Sequence, residues 1–217
     1  MCWNQDVSLN TFLFGCFSLV FLYVSNTFSK YNLKDFDNPL MYFLLFQIIL
    51  VQLTEFFLWR NINHKQVNSF LTLFAFYNIT LQPITIILMI PNLLVRHVFL
   101  FSIFSFYALV SVTKTSVPNY YTYVGKNNHL NWSWTKYQGY ASIIPFLFLL
   151  FYIVPLFVLG NNVLSFFILS MLVISLVNYY KSNTFGSMWC WSSNIIFLYF
   201  LVDILLIQPF REYNKLC

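Results

Sequence analysis

Two carboxylates fall inside long apolar runs of this sequence: Glu55 in "QLTEFFLWRN" and Asp203 in "LYFLVDILLI". An ionisable group at that depth costs about 2.5–3.5 kcal/mol on insertion scales, so it marks an ion or proton path, a charge pair or an interhelical bond. Gln52, Glu55 and Trp59 recur at i, i+3 and i+7, which places them on one helical stripe. The next apolar run, "FYNITLQPIT", carries Asn78, Gln82 and Thr85 at i, i+4 and i+7, again one stripe. Pro83 in that run frees a backbone carbonyl near Ile79. A third polar group opens the last apolar run, "GSMWCWSSN", with Trp189, Cys190, Trp191 and Asn194. Two chemistries fit such a set. The polar side chains either clasp helices together, at about 0.6–2 kcal/mol per contact, or they bind an ion or small substrate.

Several other chemistries are excluded by what is missing. The last apolar run has no lysine for a retinal Schiff base, and His64, His97 and His129 lie in loops or at a helix end. No GxSG, HExxH, GxGD or phosphate-binding glycine loop occurs, so no enzymatic site or cofactor is expected. The four cysteines, Cys2, Cys16, Cys190 and Cys217, lack CxxC spacing and histidine neighbours, so no metal site is expected. The net charge of +5 is spread thinly, with no basic run for nucleic acid.

The elements that hold these residues follow from composition. The chain is 59% hydrophobic and 8% charged, with mean hydropathy +0.70, against roughly 25% charged residues in a soluble domain. Lipid must be its solvent. A crossing takes about 20 mostly apolar residues, which gives seven candidate helices: 9–28, 39–60, 70–91, 93–113, 141–159, 162–180 and 188–208. The fold class is therefore all-α, a single integral membrane bundle over residues 1–217. Short connections make sequential helices antiparallel neighbours. One long loop, 114–140, is rich in tyrosine and tryptophan and reads as an interfacial belt or a cap on the bundle. With 5 glycines, close small-residue crossings are not expected, and bulky aromatic packing takes their place.

Parity gathers the unusual residues. Loops after the second, fourth and sixth helices share one side, so Glu55 and Trp59, "NHLNWSW" and "GSMWCWSSN" all meet there. Trp59, Trp189 and Trp191 read as interfacial anchors or a pocket wall, and Asn194 as a partner for Glu55 and Asn78. Asp203 lies deeper, on the other side of its helix from Asn194. Orientation is left open, because Lys and Arg divide five against six between the two sides. The loop sequon "NWS" at Asn131 offers a glycosylation test of a slight preference for an extracytoplasmic long loop.

The order "EFFLWRN", then "N…T.LQP", then "LNWSW", then "FGSMWCWSSN" resembles an uncharacterised family of multi-pass membrane proteins encoded by large double-stranded DNA viruses of protists. The resemblance covers the second and third helices, the long loop and the last helix. It implies a viral source, in a host endomembrane or envelope, and carries no functional residues with it. The A/T-rich residue usage equally fits a mitochondrial gene and an inner-membrane complex. The expected function is a small channel or transporter, with Gln52, Glu55, Asn78, Gln82, Asn194 and Asp203 as ion or ligand residues. The alternative is a structural or interaction protein, in a homo-oligomer or a larger membrane complex. The bilayer is a partner in either case.

Overall fold

The computed structural model describes residues 4–113, 120–135 and 143–216. The flanks of the long loop, 114–119 and 136–142, lie outside the described residues, as do Cys2 and Cys217. The chain runs through α1 (Gln5–Phe28), α2 (Pro39–Arg60), α3 (Lys65–Leu88) and α4 (Leu93–Thr113). A short antiparallel hairpin follows, β1 (Thr122–Val124) and β2 (Leu130–Trp132). Then come α5 (Ile143–Val158), α6 (Asn162–Tyr179), α7 (Phe185–Ser192), α8 (Ile195–Val202) and α9 (Gln208–Leu216). Side-chain caps set several starts: Asn4 accepts from Val7 N, Asn38 from Leu40 N with Pro39 at the first helical position, and Asn161 from Leu164 N.

Among the described residues six helical segments are long and apolar enough to cross a membrane, so this is a multi-pass helical protein. The expected span 141–159 falls short of that mark. Helix α5 has 16 residues, which at about 1.5 Å each cover about 24 Å of a hydrocarbon core about 30 Å thick. The hairpin before it meets Asn68 and Ser182 at one end, and Asn161 just after it lies beside Asp35 at the other.

The expected last span, 188–208, is longer and broken twice. Asn194 Nδ2 donates to Cys190 O and Trp191 O, and Ser193 Oγ to Trp189 O. Side chains thus occupy carbonyls that the helical ladder would use, and α7 stops at Ser192. Further on, Asp203–Ile207 forms a wide π turn. Pro209 has no N–H for the carbonyl four residues back, and the wide turn absorbs that lost bond.

Helix α1 packs differently from the sequence expectation. Its buried residues are Ser8, Gly15, Ser18, Leu22 and Ser25, a small-residue face of the kind that lets membrane helices approach closely. A Cβ placed at Gly15 would collide with Ile49 Cγ2 of α2. Aromatic packing operates elsewhere, as where Phe36 meets Phe200 edge-on at 5.0 Å. Gly15→Val is therefore expected to force α1 off α2 and to cost about 1–3 kcal/mol, the usual price of overpacking. Thermal unfolding in detergent measures it, and an unchanged midpoint would refute the close approach.

Candidate functional site

The polar stripe of α2 is buried completely: Gln52 and Glu55 are both 0% exposed. Neither amide atom of Gln52 has a hydrogen-bond partner among the described residues, nor has the buried indole nitrogen of Trp59. Buried polar atoms are nearly always bonded, so this stripe is unusual in a bundle interior. Across from it, Cys190 of α7 lies within electrostatic reach of Glu55. Cys190 also packs with Val51 of α2 and Ile79 of α3. Beside Cys190 is a pit of about 10 Å³, lined by Val51, Gln82, Tyr152, Trp189, Cys190 and Ser193 among others. That is room for about one water. Tyr152 Oη donates to Gln82 Oε1 at 3.1 Å there, while Gln82 Nε2 has no partner among the described residues.

The second stripe divides. Asn78 Nδ2 donates to Gln47 O at 2.8 Å, and Thr85 Oγ1 to Gln47 Oε1 at 3.0 Å. These are clasps between α2 and α3, and they use Gln47, a residue that sequence reasoning passed over. The signal was present, since Gln47 is an amide in an otherwise apolar run. Tyr152 on α5 was also missed, because a tyrosine among so many aromatic residues carries no mark. The irregularity at Pro83 serves packing: Tyr107 Oη of α4 donates to Thr80 O at 2.6 Å, one residue beyond the carbonyl that the proline strands.

No known family model matches this chain, nor does any curated protein or solved structure. The arrangement of residues alone therefore has to carry the functional reading. Among the described residues no cluster of three histidine, cysteine or acidic side chains is placed to hold a metal.

Other expected site residues sit apart from Glu55. Asn194 spends its amide nitrogen on its own helix, and its Oδ1 faces Gly15 of α1. Asp203 lies toward the opposite end of the bundle, with its carboxylate 3.5 Å from Gln208 Nε2 and in reach of Asp35. Trp189 faces the bundle interior. It is 6% exposed, meets Tyr152 edge-on at 5.1 Å and donates to Ile168 O. Trp191 Nε1 donates to Thr11 Oγ1 and so ties α7 to α1.

The described part of the long loop, residues 120–135, is a cap docked on the bundle end. Its turn uses Asn128 at φ 58°, a left-handed conformation that asparagine tolerates. Leu130, Asn131 and Trp132 are all buried. Asn131 Nδ2 donates to Ser182 O, so its amide faces the protein and the sequon is not a surface site. Asn127 reinforces the dock through Ser182 Oγ and Thr184 Oγ1.

Burial lowers the affinity of His129 for a proton below the ordinary histidine range, and its ring meets Tyr179 edge-on at 5.5 Å. The unfolded ring titrates near pH 6.5. The folded state thus binds fewer protons, so docking is fully stabilised above about pH 6.5 and weakens as the pH falls through that value. Amide exchange in the hairpin is expected to quicken as the pH falls below about 6.5, and His129→Gln to remove that acid-dependent component. An equal acid response in both proteins would remove His129 from the account.

Proposed function

We propose that this multi-pass membrane protein moves a proton or a small cation by way of Glu55, at a site between α2, α3 and α7. The observation that carries the reading is Gln52. A fully buried amide with neither atom bonded to described protein groups, one turn from a fully buried carboxylate, is a place for water or a cation. The pit lined by Val51, Gln82 and Cys190, which Gln52 and Glu55 do not themselves line, takes one water-sized species, which favours a proton or small ion over an organic solute. Helix α5 serves as a short seventh crossing, with the bilayer thinned beside it.

A structural role is the second reading, and the Asn78–Gln47–Thr85 clasp favours it. The two separate in proteoliposomes holding the full chain. Flux above empty liposomes under a proton, sodium or potassium gradient supports transport. Flux equal to empty liposomes under all three gives the structural reading first place. The viral-family resemblance fits either role; three of its motifs border one end of the bundle, at the end of α2, the hairpin and α7, while "N…T.LQP" lies within α3.

A further inference from the structure

A second cavity lies under the hairpin, away from the gradient of polar groups at Gln52. It has about 100 Å³ of enclosed room and about 750 Å³ of empty space with its partly open mouth. The 100 Å³ is below the ~300–1,000 Å³ of pockets that enclose a whole ligand, so an occupant enters by the mouth and is held over part of its length. Its walls come from α3, α4, α5 and α7, and its roof is Trp132 stacked on Trp134 at 5.3 Å. Phe76 of α3 meets Trp134 edge-on at 5.4 Å. At the far end of these helices, buried Ile87, Ile90 and Ile103 pack together and shut the α3–α4 seam. The space is therefore a wedge, closed away from the hairpin and open beneath it.

The lining selects the chemistry of an occupant. Among the described residues, no charged side chain borders the cavity. Its hydroxyls are already engaged, Tyr107 Oη with Thr80 O and Thr80 Oγ1 with Phe76 O. The roof offers a donor: Trp134 Nε1 is buried with no acceptor among the described residues. A peptide would bring backbone amides that these walls cannot satisfy. A hydrocarbon chain ending in a single hydrogen-bond acceptor matches both features. Tryptophan at the end of membrane helices also sits where lipid headgroups begin.

We propose that this pocket holds one acyl chain of a bilayer glycerolipid, with its ester carbonyl accepting from Trp134 Nε1. The chain lies along α3 and α4 and fills the wedge. This inference does not depend on Glu55 carrying ions.

The test uses the full chain in phosphatidylcholine nanodiscs containing a fraction of lipid with a photoreactive diazirine in the acyl chain. Labelled positions are mapped by peptide mass spectrometry. Inward residues such as Phe76, Phe106 and Val110 are expected to be labelled, alongside the outward face of α4. Val110→Trp and the milder Ile79→Phe are expected to remove the inward labels. Leu109→Trp, on the outward face at 63% exposure, is expected to leave them. Trp134→Phe keeps the ring and removes the donor. It is expected to lower inward labelling roughly 2–10-fold, the worth of one neutral hydrogen bond, and to have no effect with an ether-linked analogue. Wild-type labelling confined to outward residues such as Phe101 and Leu109 would overturn the pocket. Inward labels that persist in both filled variants would do the same. Equal loss with ester and ether lipids in Trp134→Phe would overturn the carbonyl contact.

Discussion

Replacing Glu55 by glutamine is expected to abolish flux while the protein folds and expresses as before. Glutamine has nearly the same shape and retains hydrogen-bonding capacity, but it neither ionises nor releases a proton. Because Glu55 is fully buried on α2, its replacement tests charge rather than surface chemistry. Glu55→Leu removes the polar group as well. It is expected to lower thermal stability by about 0.6–2 kcal/mol, the range for interhelical polar contacts, and to abolish flux too. Proteoliposome flux and thermal unfolding, measured side by side on both variants, separate the two roles. If the wild type conducts and Glu55→Gln conducts equally, Glu55 is a structural residue and the path lies elsewhere. If Glu55→Gln fails to fold, the charge itself is structural. Gln52→Leu then tests the site from the neighbouring turn, since it leaves the carboxylate in place.

The membrane class and helix order are legible in the sequence because lipid enforces them. Hydropathy and the need to bond every backbone group leave helices as the solution for such long apolar runs. The stripe through Gln52, Glu55 and Trp59 is legible for the same reason, as a matter of helical period. What the sequence hides is which neighbour each stripe meets. Asn78 and Thr85 share a face with Gln82, yet they bond Gln47 on α2 while Gln82 bonds Tyr152 on α5. Partner choice depends on helix rotation and tilt, which spacing within one helix does not encode. Asn194 shows the same limit. Its depth suggests Glu55, but its amide turns back on Cys190 and Trp191 and breaks the helix there. Gly15 shows that composition is a poor guide to packing, since one glycine among serines is enough to bring α1 onto α2. The hairpin, "TYV" against "LNW", is not legible in the sequence. Strands of three residues are too short for periodicity to reveal, so the loop gave only the expectation of a cap.

That cap hangs on Asn68, and Asn68→Leu is expected to release it. The Asn68 side chain imitates a neighbouring strand: its Oδ1 accepts from Thr122 N and its Nδ2 donates to Thr122 O, both at 2.8 Å. Thr72 supports the pair, bonding Asn68 Oδ1 and the Thr122 hydroxyl. Tyr121 Oη adds a bond to Ile62 O. All of Asn68, Thr72 and Thr122 are fully buried. Leucine fills similar space but leaves the Thr122 N–H and C=O without partners, at about 1–3 kcal/mol for each group. A three-residue hairpin cannot absorb that loss by itself. It is therefore expected to leave the bundle end rather than to stay docked and unsatisfied. Amide exchange over residues 121–133 reads this directly: fast exchange there, with α1 and α2 still protected, is the expected pattern. Unchanged hairpin exchange in Asn68→Leu would show that Asn127 and Asn131 suffice to hold the cap through Ser182 and Thr184. If the cap does leave, the Trp132–Trp134 roof goes with it, and the wedge between α3 and α4 loses its end.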